Sequence, residues 1–170
     1  MDETKRAGLL IAAVVIPTTE LTSSRRAVRS VFLGNQRRIH FKDERDSRKH
    51  QILNIILGLS LTARLYQGDG RAGELQARQA CLRQLVVDVA GFGATRLVIE
   101  QDDSLVRHDR HTLYEAVAKA GCRDIMRYDH MRAHQECLLS IADAVAWCWS
   151  RGREWRSRVA SIVTETVRVP

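Results

Sequence analysis

Short apolar runs alternate with longer amphipathic segments along this chain, and that alternation limits the folds it can adopt. The segments that predict strands are Gly8–Ile16, Arg37–Phe41, Leu61–Tyr66, Arg96–Ile99 and Ile125–Tyr128. The segments that predict helices are Thr18–Val31, Ser47–Leu57, Glu74–Ala90, Arg110–Ala120, Leu138–Trp149 and Trp155–Val167. Strands separated by amphipathic helices are typical of an α/β domain, here a mixed sheet flanked by helices.

The length of the chain fits one domain. A chain of 170 residues with 45% hydrophobic residues buries enough apolar surface to fold without metal or disulfides, so we expect a single domain over residues 1–170. The longest apolar stretch, Ala7–Ile16, is about half of a membrane span. Acidic residues precede it and no cleavage pattern follows it, so the sequence predicts a cytoplasmic protein without a membrane segment.

The cysteines predict a reduced protein. None of the four lies in a CxxC pair, so buried thiols are the simplest interpretation. A zinc site is the alternative, although the spacing matches no common zinc finger. Its four ligands would be Cys122, His130, His134 and Cys137.

Positive charge is concentrated near the N-terminal third. The net charge is +7, and residues 25–50 hold nine Lys and Arg against three acids. Arginine outnumbers lysine 23 to 4, and a guanidinium suits bidentate contact with phosphate. This favours an anionic partner such as nucleic acid, although a merely solvated basic face is an equal alternative.

Three acidic features lie beside apolar runs. Asp2 and Glu3 precede the first strand, where a frayed terminus is the simpler interpretation. Glu100 ends a buried strand, the place where α/β sheets hold functional groups, and Asp103 follows it in what is otherwise a polar loop. Asp143 lies in an apolar helix, either as a buried functional carboxylate or as part of a capping box with Ser140 in the first turn.

Carboxylates from distant segments are the ligands that Mg²⁺ and Mn²⁺ prefer. Two such ions can activate water and stabilise the leaving oxygen in phosphodiester hydrolysis. His40 lies inside the basic segment, where it either orients water, contacts phosphate or is a plain surface residue. The sequence contains no P-loop, Rossmann fingerprint or G-x-S-x-G elbow.

Four short motifs, in order, carry a family resemblance. They are Asp2-Glu3-Thr4, Ile39-His40-Phe41-Lys42 with Arg45, Leu97-Val98-Ile99-Glu100, and Leu139-Ser140-Ile141-Ala142-Asp143-Ala144-Val145-Ala146. Together they resemble the bacterial family called domain of unknown function three-thousand-eight-hundred, whose fold is ribonuclease H-like. The layout is also similar to that of short actinobacterial hypothetical proteins.

The resemblance implies a ribonuclease H-like fold and a metal-dependent nuclease. Asp2, Glu100 and Asp143 would then hold Mg²⁺ or Mn²⁺, with Glu3 and Asp103 as further catalytic acids. The side chains that would contact nucleic-acid phosphates are Arg37, Arg38, His40, Lys42 and Arg45. The alternative is a nucleic-acid-binding or adaptor protein of the same fold without catalysis. RNA, DNA and junction substrates remain open, and the apolar closing helices are compatible with a homodimer.

Overall fold

A computed structural model describes residues 8–170 and shows a mixed α/β chain. The helices are α1 (Leu21–Ser30), α2 (Asp46–Leu57), α3 (Glu74–Gly91), α4 (Val106–Lys119), α5 (Leu139–Ser150) and α6 (Arg153–Val159). The strands are β1 (Leu9–Val15), β2 (Thr62–Gly68), β3 (Arg96–Glu100), β4 (Arg127–Met131) and β5 (Val163–Val169). Short 3-10 helices cover Thr18–Glu20, Phe41–Asp43 and Gly70–Ala72. Within residues 8–170, no helix combines the length and hydropathy needed to cross a bilayer.

The predicted strand Arg37–Phe41 is wrong. Ile39 and Phe41 are buried while Arg38 and His40 are exposed, so the alternation that suggested a strand is present in the structure. The backbone N–H of Phe41, however, donates to a side-chain carboxylate, and a 3-10 turn begins at the same residue. Alternating burial without a neighbouring strand therefore gives an irregular loop anchored by two apolar side chains.

The predicted helix Trp155–Val167 is confirmed only as far as Val159, where α6 ends, and is wrong beyond it, because β5 begins at Val163. Residues 163–169 read Val-Thr-Glu-Thr-Val-Arg-Val, which alternates β-branched and polar or charged positions. β-branched residues fit the pleated surface of a strand better than the surface of a helix. The period of two in this segment therefore outweighs the apparent continuation of the helix.

The described chain contains two compact units and two sheets. Unit 1 comprises residues 8–11, 66–131 and 167–170, and unit 2 comprises residues 12–65 and 132–166. The first sheet has three strands in the order β1-β2-β5. In the second sheet β3 pairs with β4 in parallel, with Arg96 opposite Arg127 and Glu100 opposite Met131.

Unit 1 has a core between α3 and α4. Cys81, Leu85 and Val86 of α3 are buried, as are Leu113 and Val117 of α4, at the helical spacing expected for one apolar face. The end of β2 also packs closely on α3. A Cβ at Gly68 would lie 2.8 Å from the Cβ of Ala77, so only glycine allows this approach.

Unit 2 is built from paired helices: α1 packs on α2, and α5 packs on α6 and on the 3-10 turn at Phe41. The Phe41 ring is fully buried, and its centroid lies 5.3 Å from that of Trp147 and 6.4 Å from that of Trp155. Trp147 and Trp155 are themselves 5.1 Å apart in an edge-to-face arrangement. This aromatic cluster fixes the loop 31–45 against the C-terminal helices of unit 2.

A candidate carboxylate site and nucleic-acid interface

Asp143 lies in α5, and its carboxylate is held by the backbone of the loop 31–45. Its Oδ2 accepts a hydrogen bond from the N–H of Phe41 at 2.9 Å, and its side chain is 31% exposed. The capping-box alternative is wrong. The Ser140 hydroxyl donates to the carbonyl of Cys137, and α5 begins at Leu139, so Asp143 lies beyond the first turn. Asp143 is thus a partly exposed carboxylate with one oxygen positioned by the backbone.

His40 and Asp143 come together in unit 2. His40 Nδ1 lies 3.4 Å from Asp143 Oδ2, and the imidazole is 47% exposed. The neighbouring residue Phe41 is the anchor that holds His40 there, since its ring is buried and its N–H binds the same carboxylate oxygen. Two residues that the sequence suggested from separate motifs therefore share one site, in which a carboxylate faces an imidazole.

Cations surround the aromatic cluster beside this site. The Nζ of Lys49 lies 4.8 Å from the centroid of the Trp147 ring, and the Arg151 guanidinium carbon lies 5.6 Å from the same centroid. Arg158 lies 6.0 Å from the centroid of Trp155. These are cation–π distances, and they place positive charge around half-buried indole rings.

The four remaining cations predicted to contact phosphate are exposed. Arg37, Arg38, Lys42 and Arg45 make no side-chain ion pair with any residue of the described chain. Other cations of the segment are engaged: Lys49 is buried and donates to the carbonyl of Glu44. The loop therefore presents uncompensated positive charge on both sides of His40 in sequence.

The other predicted acids lie elsewhere. Glu100 ends β3 in unit 1 and is exposed, and Asp103 accepts a hydrogen bond from Gln101 Nε2 at 2.7 Å. Asp102 accepts bonds from the N–H and hydroxyl of Ser104, which lower the pKa of its carboxyl. Asp2 and Glu3 lie outside the described residues.

Metal binding by Asp2, Glu100 and Asp143 stays a prediction, because Asp2 lies outside residues 8–170. Within that range no three His, Cys, Asp or Glu side chains are grouped as metal ligands would be. Asp143 suits a hard cation as a single ligand, because its Oδ1 is not used by any described residue while Oδ2 is held by Phe41. Glu100 belongs to unit 1 and Asp143 to unit 2.

Sequence reasoning missed a buried polar cluster in unit 1. Arg78 donates to both carboxylate oxygens of Asp109 at 2.8 Å, and Asp109 is 1% exposed. His130 Nε2 lies 3.6 Å from the same carboxylate and has no hydrogen-bond partner in the part of the chain described. The available signal was helical spacing, because Asp109 shares the buried face of α4 with Leu113 and Ala116.

No family model matches the chain, and no curated protein or solved structure is significantly similar to it. The ribonuclease H-like resemblance therefore remains a prediction carried by its four motifs, and function rests on the residues and contacts described above.

Proposed function

We propose that the protein is a nuclease that hydrolyses phosphodiester bonds of RNA or DNA on a ribonuclease H-like fold. The observation that carries this proposal is the pairing of His40 with Asp143 beside exposed, unpaired cations. An imidazole held by a carboxylate suits proton transfer, and guanidinium and ammonium groups suit phosphate binding. The same short segment thus supplies the two kinds of group that cleavage of a phosphate backbone requires.

Binding of the substrate is assigned to the exposed cations around His40. Arg37 and Arg38 precede it, and Lys42 and Arg45 follow it. Neutralising phosphates with such side chains releases condensed counterions, so binding weakens steeply with salt. The net charge of +7 acts in the same direction by attracting a polyanion before contact.

The chemical step is assigned to His40 and Asp143. The Asp143 carboxylate, 3.4 Å from the imidazole, stabilises the positive charge that the ring gains when His40 accepts a proton from water as the water oxygen attacks phosphorus. The bond from phosphorus to the leaving oxygen then breaks, that oxygen takes up a proton from solvent, and the His40 imidazolium returns its proton to solvent. The Phe41 N–H keeps the Asp143 carboxylate beside the imidazole.

The resemblance adds a metal to this proposal. Asp143 would be one oxygen ligand of Mg²⁺ or Mn²⁺, with Asp2 and Glu100 as the other ligands that the family motifs suggest. When bound, such an ion would lower the pKa of its water and stabilise the leaving oxygen. The roles of His40 and Asp143 given above do not depend on this ion.

The ribonuclease H-like fold is part of the same proposal. Its support is the alternation of strands and helices and the parallel pair formed by β3 and β4. A single mixed sheet would be expected for that fold, whereas the described strands form sheets of three and two strands.

The test is cleavage of labelled single-stranded RNA, single-stranded DNA and duplex DNA with Mn²⁺, with Mg²⁺ and with EDTA. We expect cleavage by the wild type and at least a hundredfold loss in His40→Ala, since removing a general base costs about 10²–10⁴ in rate. We expect a similar loss in Asp143→Asn, which removes the negative charge that faces the imidazole. Asp124→Asn, an exposed carboxylate without a described partner, is the matched control. Retained cleavage in Asp143→Asn would overturn the assignment.

A second candidate is a nucleic-acid-binding protein without turnover. The exposed, unpaired cations Arg37, Arg38, Lys42 and Arg45 favour it, because such side chains bind a nucleic-acid backbone whether or not cleavage follows. It predicts salt-sensitive binding of oligonucleotides with no product under any metal condition. The same assay therefore separates the two candidates.

A further inference from the structure

Helix α1 presents a cationic face that none of the family motifs includes. Thr22, Arg25, Arg26 and Arg29 follow the spacing i, i+3, i+4, i+7 and so lie on one side of the helix. Their side chains border an open surface depression of about 340 Å³ in unit 2, called here the α1 groove. The opposite side of the helix is apolar, with Val28 buried.

One of the three arginines is already engaged. Arg25 donates through Nε and Nη2 to Glu136, with the shortest distance 2.7 Å, and the Glu136 side chain is 8% exposed. Arg26 and Arg29 are exposed, and no carboxylate of the described chain pairs with either. Glu136 thus fixes one guanidinium in the groove and leaves two positive charges uncompensated.

We propose that the α1 groove binds phosphate groups of nucleic acid, as a contact separate from the loop that carries His40. The inference rests on the proposed nucleic-acid function and deepens it. Residues 22–29 extend about 10 Å along the helix at 1.5 Å per residue. Phosphates of one strand follow each other about every 3.4 Å along a duplex axis, so the groove spans two or three of them.

The chemistry of the lining residues fits phosphate groups. Arginine binds phosphate bidentately, and a hydroxyl such as that of Thr22 donates to phosphate oxygens in many nucleic-acid complexes. The phosphate bound at this site is either an internal phosphate of the backbone or the terminal phosphate of the strand.

The test compares two double variants that remove the same charge at the same spacing. Arg26→Ala with Arg29→Ala alters the α1 groove, and Arg107→Ala with Arg110→Ala removes two exposed arginines of α4. Binding of a fluorescein-labelled single-stranded 20-mer is measured by anisotropy in EDTA over a series of NaCl concentrations. Circular dichroism melts verify that both variants fold.

The groove variant is expected to bind about tenfold more weakly, with the salt slope reduced by about 1.4 for two lost phosphate contacts. The α4 variant is expected to keep the wild-type slope. Equal losses in both variants, or wild-type binding by the groove variant, would overturn the proposal while leaving the nucleic-acid function intact. No binding by the wild type would overturn both.

Two further comparisons complete the test. Oligonucleotides with a 5′-phosphate and a 5′-hydroxyl distinguish the sources of phosphate: a preference for the 5′-phosphate that disappears in the groove variant assigns the site to a terminal phosphate, and equal binding assigns it to the internal backbone. Turnover is scored in the Mn²⁺ and Mg²⁺ assay, so a protein that binds in EDTA but cleaves with neither ion contradicts the nuclease alone.

Discussion

The N–H of Phe41 donates a hydrogen bond to Oδ2 of Asp143, 102 residues further along the chain, at 2.9 Å. The bond joins the basic loop of unit 2 to α5 and places His40 beside the same oxygen. Asp143 therefore has a structural role, which is to accept this bond, as well as the proposed role in cleavage. The two roles respond differently to substitution.

Replacing Asp143 by Ala is expected to lower the free energy of unfolding by about 1–2 kcal/mol, since a hydrogen bond to a charged group contributes about 1.5–3 kcal/mol and this carboxylate is partly exposed. Asp143→Asn keeps an oxygen that accepts from Phe41, so its loss is expected to be less than half as large. Urea denaturation of both variants measures the difference. Equal losses would show that the negative charge, and not the acceptor, holds the loop.

Amphipathic spacing was sufficient to predict α2, α3 and α5 nearly to their ends, because their buried residues recur three and four positions apart along the sequence. The same local pattern failed at residues 37–41. There the alternation of Ile39 and Phe41 is real, but the hydrogen-bond partner is a carboxylate far along the chain. No local pattern contains that partner.

The sequence predicted which residues belong to the candidate site but not the contacts between them. His40 and Asp143 were each singled out from short motifs, and their 3.4 Å approach follows from the burial of Phe41 against Trp147. Asp109 was missed because a charged residue at an apolar helix position resembles an interruption of the pattern. Its burial depends on Arg78, which belongs to a different helix.

The buried pair of Arg78 and Asp109 is expected to be costly to break. Asp109→Ala leaves a partly buried guanidinium without its partner and should destabilise the protein by about 3–5 kcal/mol. Arg83 and Glu115 join the same two helices, α3 and α4, at 3.7 Å, with both side chains about half exposed. Glu115→Ala is therefore the matched control, expected to cost less than about 1 kcal/mol.

Thermal and urea unfolding of both variants test this contrast. The combined change Arg78→Met with Asp109→Leu removes both charges and should recover most of the stability lost in Asp109→Ala. Similar small losses for the buried and the exposed pair would show that Arg78 and Asp109 contribute no more than a surface ion pair.

The four cysteines are free and buried, as the sequence predicted. Burial raises the pKa of the Cys148 thiol to about 12 and also raises the pKa of Cys81 and Cys137. At pH 8 a thiol with a pKa near 12 is ionised in about one molecule in ten thousand, and the thiolate is the reactive form. The native protein should therefore react slowly with Ellman's reagent, and four thiols should react promptly in guanidinium chloride. Rapid reaction of a native thiol would contradict the described burial.

His130 is expected to make stability depend on pH. Its side chain is 3% exposed, and burial lowers the pKa of the imidazole below its usual value of 6.5. The nearby Asp109 carboxylate favours the charged form, but Arg78 already binds both of its oxygens, and the charges of Arg78 and Arg110 oppose protonation. The unfolded chain therefore binds a proton at a higher pH than the folded chain does.

The sign of the effect follows from that difference. Below about pH 6.5 the unfolded state gains a proton that the folded state lacks, so stability falls as the pH decreases, by up to about 1.4 kcal/mol per pH unit. It levels off once the pH is below the pKa of folded His130. Above pH 7 both states are neutral at this residue, and its contribution to the pH dependence disappears.

Urea denaturation of the wild type and His130→Gln at pH 7.5, 6.5, 5.5 and 5.0 measures this contribution. Glutamine has no titrating group, while the other histidines are common to both proteins, so the difference between the two stability curves isolates His130. We expect the wild type to lose more stability than the variant as the pH falls from 6.5 to 5.0. Parallel curves would mean that His130 has the same pKa in the folded and unfolded chain, which contradicts its burial beside an already paired carboxylate.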